Sequence, residues 1–145
     1  MRRPGTSIAR MGGRTKRFRS VAAIGLAIAA LSTAACSGPP AAPVEFTDRA
    51  PLPSCGEIVL DQGETIPEDA LDCMEAAVEA DGGELKVTSP TVEGDPIVTY
   101  YRVGPGIDGV DMFIDGTADA YGAGTWIHEN CPGDATISEF GGCTG

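Results

Sequence analysis

Charge divides this chain into two parts. Seven of its ten Lys and Arg residues precede position 20, whereas all 21 Asp and Glu residues follow position 44. Between them, residues 21–35 are uncharged and mainly apolar, too short for a comfortable membrane span but suited to the core of a secretory signal. The division predicts a signal peptide over residues 1–35, so the fold must be built from the acidic remainder.

The end of the apolar run resembles the lipobox of bacterial lipoproteins. Thr33, Ala34 and Ala35 precede Cys36, and a Ser-Gly dipeptide follows it. The resemblance implies cleavage before Cys36 and attachment of acyl chains, palmitate among them, to this residue. Each buried methylene contributes about 0.8 kcal/mol, so several chains hold a protein firmly on a bilayer. The predicted location is the cell membrane, lipid-anchored, on its extracytoplasmic face.

Composition changes again after the lipobox. Residues 36–53 contain the lipidated Cys36 and a stretch rich in Pro and Ala without periodicity, which predicts a tether. Residues 54–145 are predicted to form one small α+β domain. A domain of that size supports one modest core and profits from covalent links.

Four further cysteines remain in the predicted domain. An even number in an exported chain predicts two disulfides, and three pairings are possible. We favour the pairs closest in sequence, because each closes a short loop and adds roughly 3 kcal/mol in the loop-entropy model. A zinc site is disfavoured because no C-x-x-C spacing is present. The expected pairs are Cys55 with Cys73 and Cys131 with Cys143.

Periodicity predicts one helix. Thr65 and Glu68 have the spacing of a capping box, and Gly82 and Gly83 are expected to end the helix. Leu71, Met74 and Val78 recur at helical spacing and are expected to pack inward.

The other patterned segments alternate as strands do. They cover residues 84–89, 97–103, 109–115 and 124–131, with a possible short edge strand at 57–60. The predicted fold class is α+β: an antiparallel sheet of about four strands, with one helix packed on one face and two disulfides.

Charge and motif content argue against two classes of function, nucleic-acid binding and hydrolysis. Beyond the leader only three basic residues accompany the 21 acids, so nucleic acid and anionic lipid headgroups would be repelled. A hydrolytic triad needs a histidine, and His128 is the only one in the sequence. No G-x-S-x-G segment, which would carry a nucleophilic serine, is present. We therefore predict no enzyme and no cofactor, but a membrane-anchored binding or structural domain with an envelope or extracellular partner.

Two candidate sites remain. If Val110, Met112 and Ile114 face the helix, Phe113 points the other way, and Trp126 and His128 share one parity on the last strand. Phe113, Trp126 and His128 are the predicted binding residues of that mixed aromatic and acidic face. The alternative is that Trp126 points to the core instead.

The second candidate is a cation site. The acids of residues 111–131 fit no EF-hand register, but Glu93, Asp95, Asp115 and Asp119 would form a carboxylate cluster if they met at one end of the sheet. A cation-binding module is thus an alternative function. A small secreted enzyme inhibitor is another, and it would need a rigid exposed loop such as residues 104–109 or 131–143.

Two motifs resemble a family of small bacterial secreted lipoproteins whose domain has no assigned function. They are T-x-E-G-D-P-I at residues 91–97 and D-x-T-x-D-x-Y-G at residues 115–122, within a resemblance that covers roughly residues 55–131. Cys55, Cys73 and Cys143 depart from the family pattern. The resemblance implies no activity and assigns no catalytic residue. The motifs themselves are typical of turns beside strands.

Overall fold

The computed structural model describes Gly38 and residues 40–144, so the predicted signal peptide and Cys36 lie outside the described residues. Its main feature is a five-stranded sheet in the order β1-β2-β3-β4-β5, with a separate two-stranded hairpin, β6–β7. The strands are β1 Ser54–Val59, β2 Gly83–Pro90, β3 Pro96–Val103, β4 Val110–Asp115, β5 Trp126–Cys131, β6 Thr136–Ile137 and β7 Cys143–Thr144. The helices are α1 Val44–Thr47 and α2 Glu68–Val78.

The sheet is mixed, which corrects the antiparallel sheet of about four strands. The expected meander is present, since β2, β3, β4 and β5 pair antiparallel in chain order. The segment proposed as an edge strand is a full strand, β1, and it pairs parallel to β2. Parallel neighbours need a crossover connection, and α2 provides it.

Helix α2 begins later than its sequence suggests, and the expected capping box is absent. Pro67 is the N-cap residue and makes no side-chain capping hydrogen bond. The preceding residues are engaged elsewhere: the Ile66 N–H donates to the Glu139 carbonyl at 2.8 Å, and the Glu64 carboxylate accepts from the Asp61 N–H at 2.8 Å. The residue directly before the N-cap is thus held by the C-terminal segment.

The main core lies between α2 and the sheet. Leu85 and Val110 are fully buried there, and Met74 of α2 is 3% exposed. Val78 was expected to pack inward with Met74, but it is 46% exposed. The rest of the buried cluster is Ile66, Ala70, Ala77, Val87, Tyr101, Val103, Met112 and Ile137.

The β6–β7 hairpin covers the part of this face that α2 leaves open. Ile137 of β6 packs into the core, and the Tyr101 hydroxyl donates to the Gly141 carbonyl at 2.6 Å. Cys131 is joined to Cys143 with 6.2 Å between Cα atoms, which ties the hairpin to β5. Cys55 is joined to Cys73 across 5.7 Å, which ties α2 to β1. Both pairs are those expected from the sequence.

The opposite face of the sheet is covered by residues 43–53, which we call the strap. This segment belongs to the predicted tether, yet it contains α1 and makes side-chain contacts with β2 and β3. Of the predicted tether before the strap, the structure describes Gly38 and residues 40–42. Within the described residues, the strands, the core and both disulfides lie between residues 43 and 144.

The close approach of two glycines predicts one sharp mutational difference. Gly104 has φ +131°, and a Cβ placed on it would collide with the Cα of Gly82. Gly106, two residues away with φ +83°, faces open space. We expect Gly104→Ala to lower the free energy of unfolding by at least about 3 kcal/mol. Gly106→Ala should cost only about 1 kcal/mol for its left-handed backbone. Equal losses in urea unfolding would contradict the packing of these two turns.

Candidate functional site

The sheet face opposite α2 carries the predicted binding residues in a cross-strand row. Tyr100 of β3 lies opposite Phe113 of β4, and Phe113 lies opposite His128 of β5. The Phe113 and His128 rings are stacked, with centroids 4.1 Å apart. Trp126 lies on the same face, two residues before His128 along β5. Trp126 therefore points away from the helix, in the first of the two registers that the sequence left open.

This aromatic row is occupied by the protein itself. The Phe46 ring of the strap lies 4.7 Å from the Tyr100 centroid, 5.4 Å from that of Phe113 and 4.6 Å from that of Trp126. Edge-to-face and tilted contacts at these distances are favourable beyond the area they bury. Arg49 closes the arrangement, since its guanidinium carbon sits 3.6 Å above the Phe46 ring.

A second row, of charges, runs beside the aromatic one. The Arg49 guanidinium donates twice to Glu84 at 3.0 Å, and its third nitrogen donates to the Phe46 carbonyl at 2.6 Å. Glu84 also pairs with Arg102 at 3.1 Å. Arg102 is 7% exposed and donates to the Ala50 carbonyl at 2.6 Å. Each strap contact therefore satisfies a buried or half-buried charge.

The charge row continues to His128. The Asp111 carboxylate lies 3.7 Å from Arg102 and 2.6 Å from the His128 Nε2. The Arg102 Nε approaches Glu84 without hydrogen-bond geometry, so that contact is ionic only.

Because of these contacts, the predicted binding residues are engaged within the protein. Phe113 is 2% exposed and forms a second, smaller core with Phe46. His128 is exposed, but it is engaged by Asp111 and stacked on Phe113. The roles of Phe46 and Arg49 were not predicted from the sequence. Phe46 lies in the single turn of α1 and Arg49 follows the C-cap of that helix, so no periodic pattern marks them.

The single tryptophan makes the strap contact measurable. Phe46→Ala removes the ring that covers Trp126, so we expect a red shift of fluorescence emission and a loss of about 3 kcal/mol of unfolding free energy. Val44→Ala is the matched control, since Val44 lies in the same helix and is 60% exposed. An unshifted emission spectrum in Phe46→Ala would contradict the placement of the strap.

The predicted cation ligands act mainly as turn acceptors. Asp115 accepts from the Thr117 N–H and hydroxyl, and Asp119 accepts from the Tyr121 and Gly122 N–H groups. Asp95 accepts from the Ala120 N–H at 2.9 Å, which joins the two sequence motifs at one end of the sheet.

Glu93 is exposed in the neighbouring turn. Among the described residues, no three His, Cys, Asp or Glu side chains are arranged to hold a metal ion.

A concave surface stays open on the α2 side of the described sheet. Two adjoining cavities of about 360 and 450 Å³ lie between α2 and residues 132–137, and we call them together the α2 groove. Val103 and Val110 lie at its floor beside Met74, and Val78 lines both cavities. Residues 132–137 form the wall opposite α2, so the disulfide between Cys131 and Cys143 helps to hold the groove in shape.

The rim of the α2 groove is acidic. Four acids follow one stripe of α2 at spacings of three and four residues, and two more lie on the opposite side. None of them forms an ion pair with another described residue, although Asp108 accepts a hydrogen bond from the Gly133 N–H. They are Glu68, Asp72 and Glu75 on α2, Glu79 at its C-cap, and Asp108 and Asp134 opposite.

The hydrogen bond that holds the hairpin beside the groove gives a pH prediction. Burial raises the pKa of Tyr101 above its ordinary value of about 10. The folded chain then keeps this proton to a higher pH than the unfolded chain. The contribution of protonated Tyr101 to the free energy of unfolding is complete below pH 10 and is lost as the pH rises toward the raised folded pKa.

Tyr101→Phe should therefore flatten the alkaline decline of the unfolding free energy, and lower its neutral-pH value by about 1 kcal/mol for the lost hydrogen bond. Urea unfolding from pH 7 to pH 11 with disulfides intact measures both effects. The control is Tyr121→Phe, because Tyr121 is 80% exposed. An unchanged alkaline decline in Tyr101→Phe would refute the assignment.

Comparison of the chain with protein-family models, with curated proteins and with solved structures finds no match. Among the described residues, no helix has the length and apolar character needed to span a bilayer. The fold and the open groove are therefore the basis for a functional proposal.

Proposed function

We propose that this chain is a lipid-anchored, extracytoplasmic, non-catalytic binding domain of the bacterial envelope, and that the α2 groove is its binding surface. The observation that carries the binding role is the groove itself. Both surfaces suggested by the sequence are engaged within the protein: Phe46 covers the aromatic row, and backbone N–H groups occupy three of the four predicted metal ligands.

Support for the anchor comes from the sequence around Cys36. A basic leader, an apolar core and small residues stand before it in the order that export and lipidation require. The first residue of α1 is Val44, so about seven residues separate the proposed lipid from the folded body. Such a spacer reaches at most about 25 Å, which keeps the domain near the membrane surface.

Support for a non-catalytic role comes from the surroundings of His128. Its Nε2 lies 2.6 Å from Asp111, and its ring face is covered by Phe113. The threonines that flank it most closely in sequence are Thr125 and Thr136. The Thr125 hydroxyl donates to the Trp126 carbonyl, and that of Thr136 contacts Thr144. General base catalysis needs a nucleophile within hydrogen-bond reach of the base.

The anchor has a direct test in cells that export and lipidate lipoproteins. Mass spectrometry of the membrane fraction should find the mature chain beginning at Cys36 and carrying acyl mass. Cys36→Ser should move the protein out of the membrane fraction, because no acyl chain then holds it.

The matched control is Ser37→Ala, which changes a neighbouring small polar residue and should stay membrane-bound. An unmodified Cys36, or a leader still attached to the wild-type chain, would overturn the proposed location. This test does not depend on what the groove binds.

A further inference from the structure

We infer that the α2 groove receives a basic amphipathic segment of a partner protein, and this inference rests on the binding role proposed above. Three features support it: the groove has an apolar floor, the carboxylates of its rim have no ion-pair partners, and the cations of the described domain all lie elsewhere. Together they define the chemistry of the occupant.

The floor requires an apolar surface on the occupant. Val78 repeats the helical spacing of Leu71 and Met74, yet neither the sheet nor the hairpin covers it. It opens into both cavities, directly above the buried side chains of Val103 and Val110. A purely polar ligand such as a polyamine would leave this surface in water, whereas an aliphatic side chain would bury it.

The rim requires positive charge. Carboxylates at Glu68, Asp72, Glu75 and Glu79 repel one another at spacings of three and four residues, and each such pair costs an isolated helix about 0.2–0.5 kcal/mol. No lysine or arginine lies on this side of the described domain to relieve the repulsion. A basic segment would relieve it from outside.

The positions of the cations leave the α2 side of the described domain without positive charge. Residues 38–144 contain only three, Arg49, Lys86 and Arg102, and all three pair with carboxylates on the face opposite α2. The domain is therefore electrostatically two-sided: its strap face holds all three cations, and its α2 face holds none. A second copy of this acidic chain would present carboxylates to carboxylates, so the occupant is a different protein.

Peptide binding to the mature chain without its lipid, residues 37–145 exported to an oxidising compartment, tests the inference. The probe is a peptide of about twelve residues, matching the roughly 16 Å length of α2, with leucines on one helical face and lysines on the other. Three comparison peptides share its length: one with the same residues scrambled, one with glutamate for lysine and one with glutamine for lysine. Calorimetry at about 0.15 M salt limits long-range attraction to within a Debye length of about 8 Å.

Paired charge reversals locate the binding. Glu75→Lys with Glu79→Lys changes the rim, and Glu45→Lys with Glu93→Lys makes the same change of charge away from the groove. We expect the rim pair to weaken the lysine peptide at least about tenfold and the distant pair less than about threefold. The rim pair should not lower the melting temperature, because it removes repulsion along α2.

A second pair of variants tests the floor. Val78→Gln places a polar group in the groove, whereas Val92→Gln makes the same change at a residue that is 84% exposed and distant from it. Only Val78→Gln should weaken the lysine peptide, by about threefold to tenfold.

Each outcome decides the inference. Tight binding of the lysine peptide that is lost with the rim pair and with Val78→Gln supports it. Equal binding of the scrambled peptide, or equal weakening by both charge-reversal pairs, would show general attraction to an acidic protein and overturn it. Equal binding of the glutamine peptide at the groove would keep the binding role and overturn the ligand class. No binding by any of the peptides would overturn the inference, whereas the proposed lipid anchor is judged separately by the result at Cys36.

Discussion

A five-stranded sheet has two faces, and the eleven residues of α2 can cover only part of one. Both faces carry large side chains, with Leu85 and Val110 on the α2 side and Phe113 and Trp126 on the other. Water must be excluded from each, so the chain supplies two further covers: the β6–β7 hairpin beside α2 and the strap on the opposite face. The two disulfides hold α2 and the hairpin in place: Cys55–Cys73 ties α2 to β1, and Cys131–Cys143 ties the hairpin to β5.

The need to cover both faces of the sheet also determines where the charged residues lie. Arg102 and Glu84 lie directly opposite each other in the pleat of β2 and β3, under the strap, where a lone buried charge would be costly. Arg49 reaches this row of charges from the strap. The segment that buries Phe46 therefore also neutralises Glu84. All available cations are consumed there. The acids of α2 are left to water, which is why the open groove is also the acidic one.

Local patterns were sufficient for the elements that obey a simple period. Alternation along β4 predicted that Phe113 faces away from Val110 and Met112, and helical spacing predicted α2. The direction of β1 was missed, because a short alternating run reads the same in a parallel or an antiparallel pair. The strap was missed for another reason: Phe46 and Arg49 stand in a Pro- and Ala-rich stretch where one aromatic residue forms no period. Val78 shows the limit of the helix pattern, since periodicity marks an apolar stripe but not the width of the surface that will cover it.

The strap and the α2 groove lie on opposite sides of the sheet, and this separation bears on how an anchored domain could bind. The strap begins at residue 43 and lies on the face that Phe46 and Arg49 close. The α2 face then needs no displacement of the strap to meet a partner. An acidic rim near an anionic membrane would also be repelled from it, which favours orientations in which the groove is turned away from the lipid. If the proposed anchor holds the domain from the strap side, the uncompensated acids of the α2 groove would favour the same orientation.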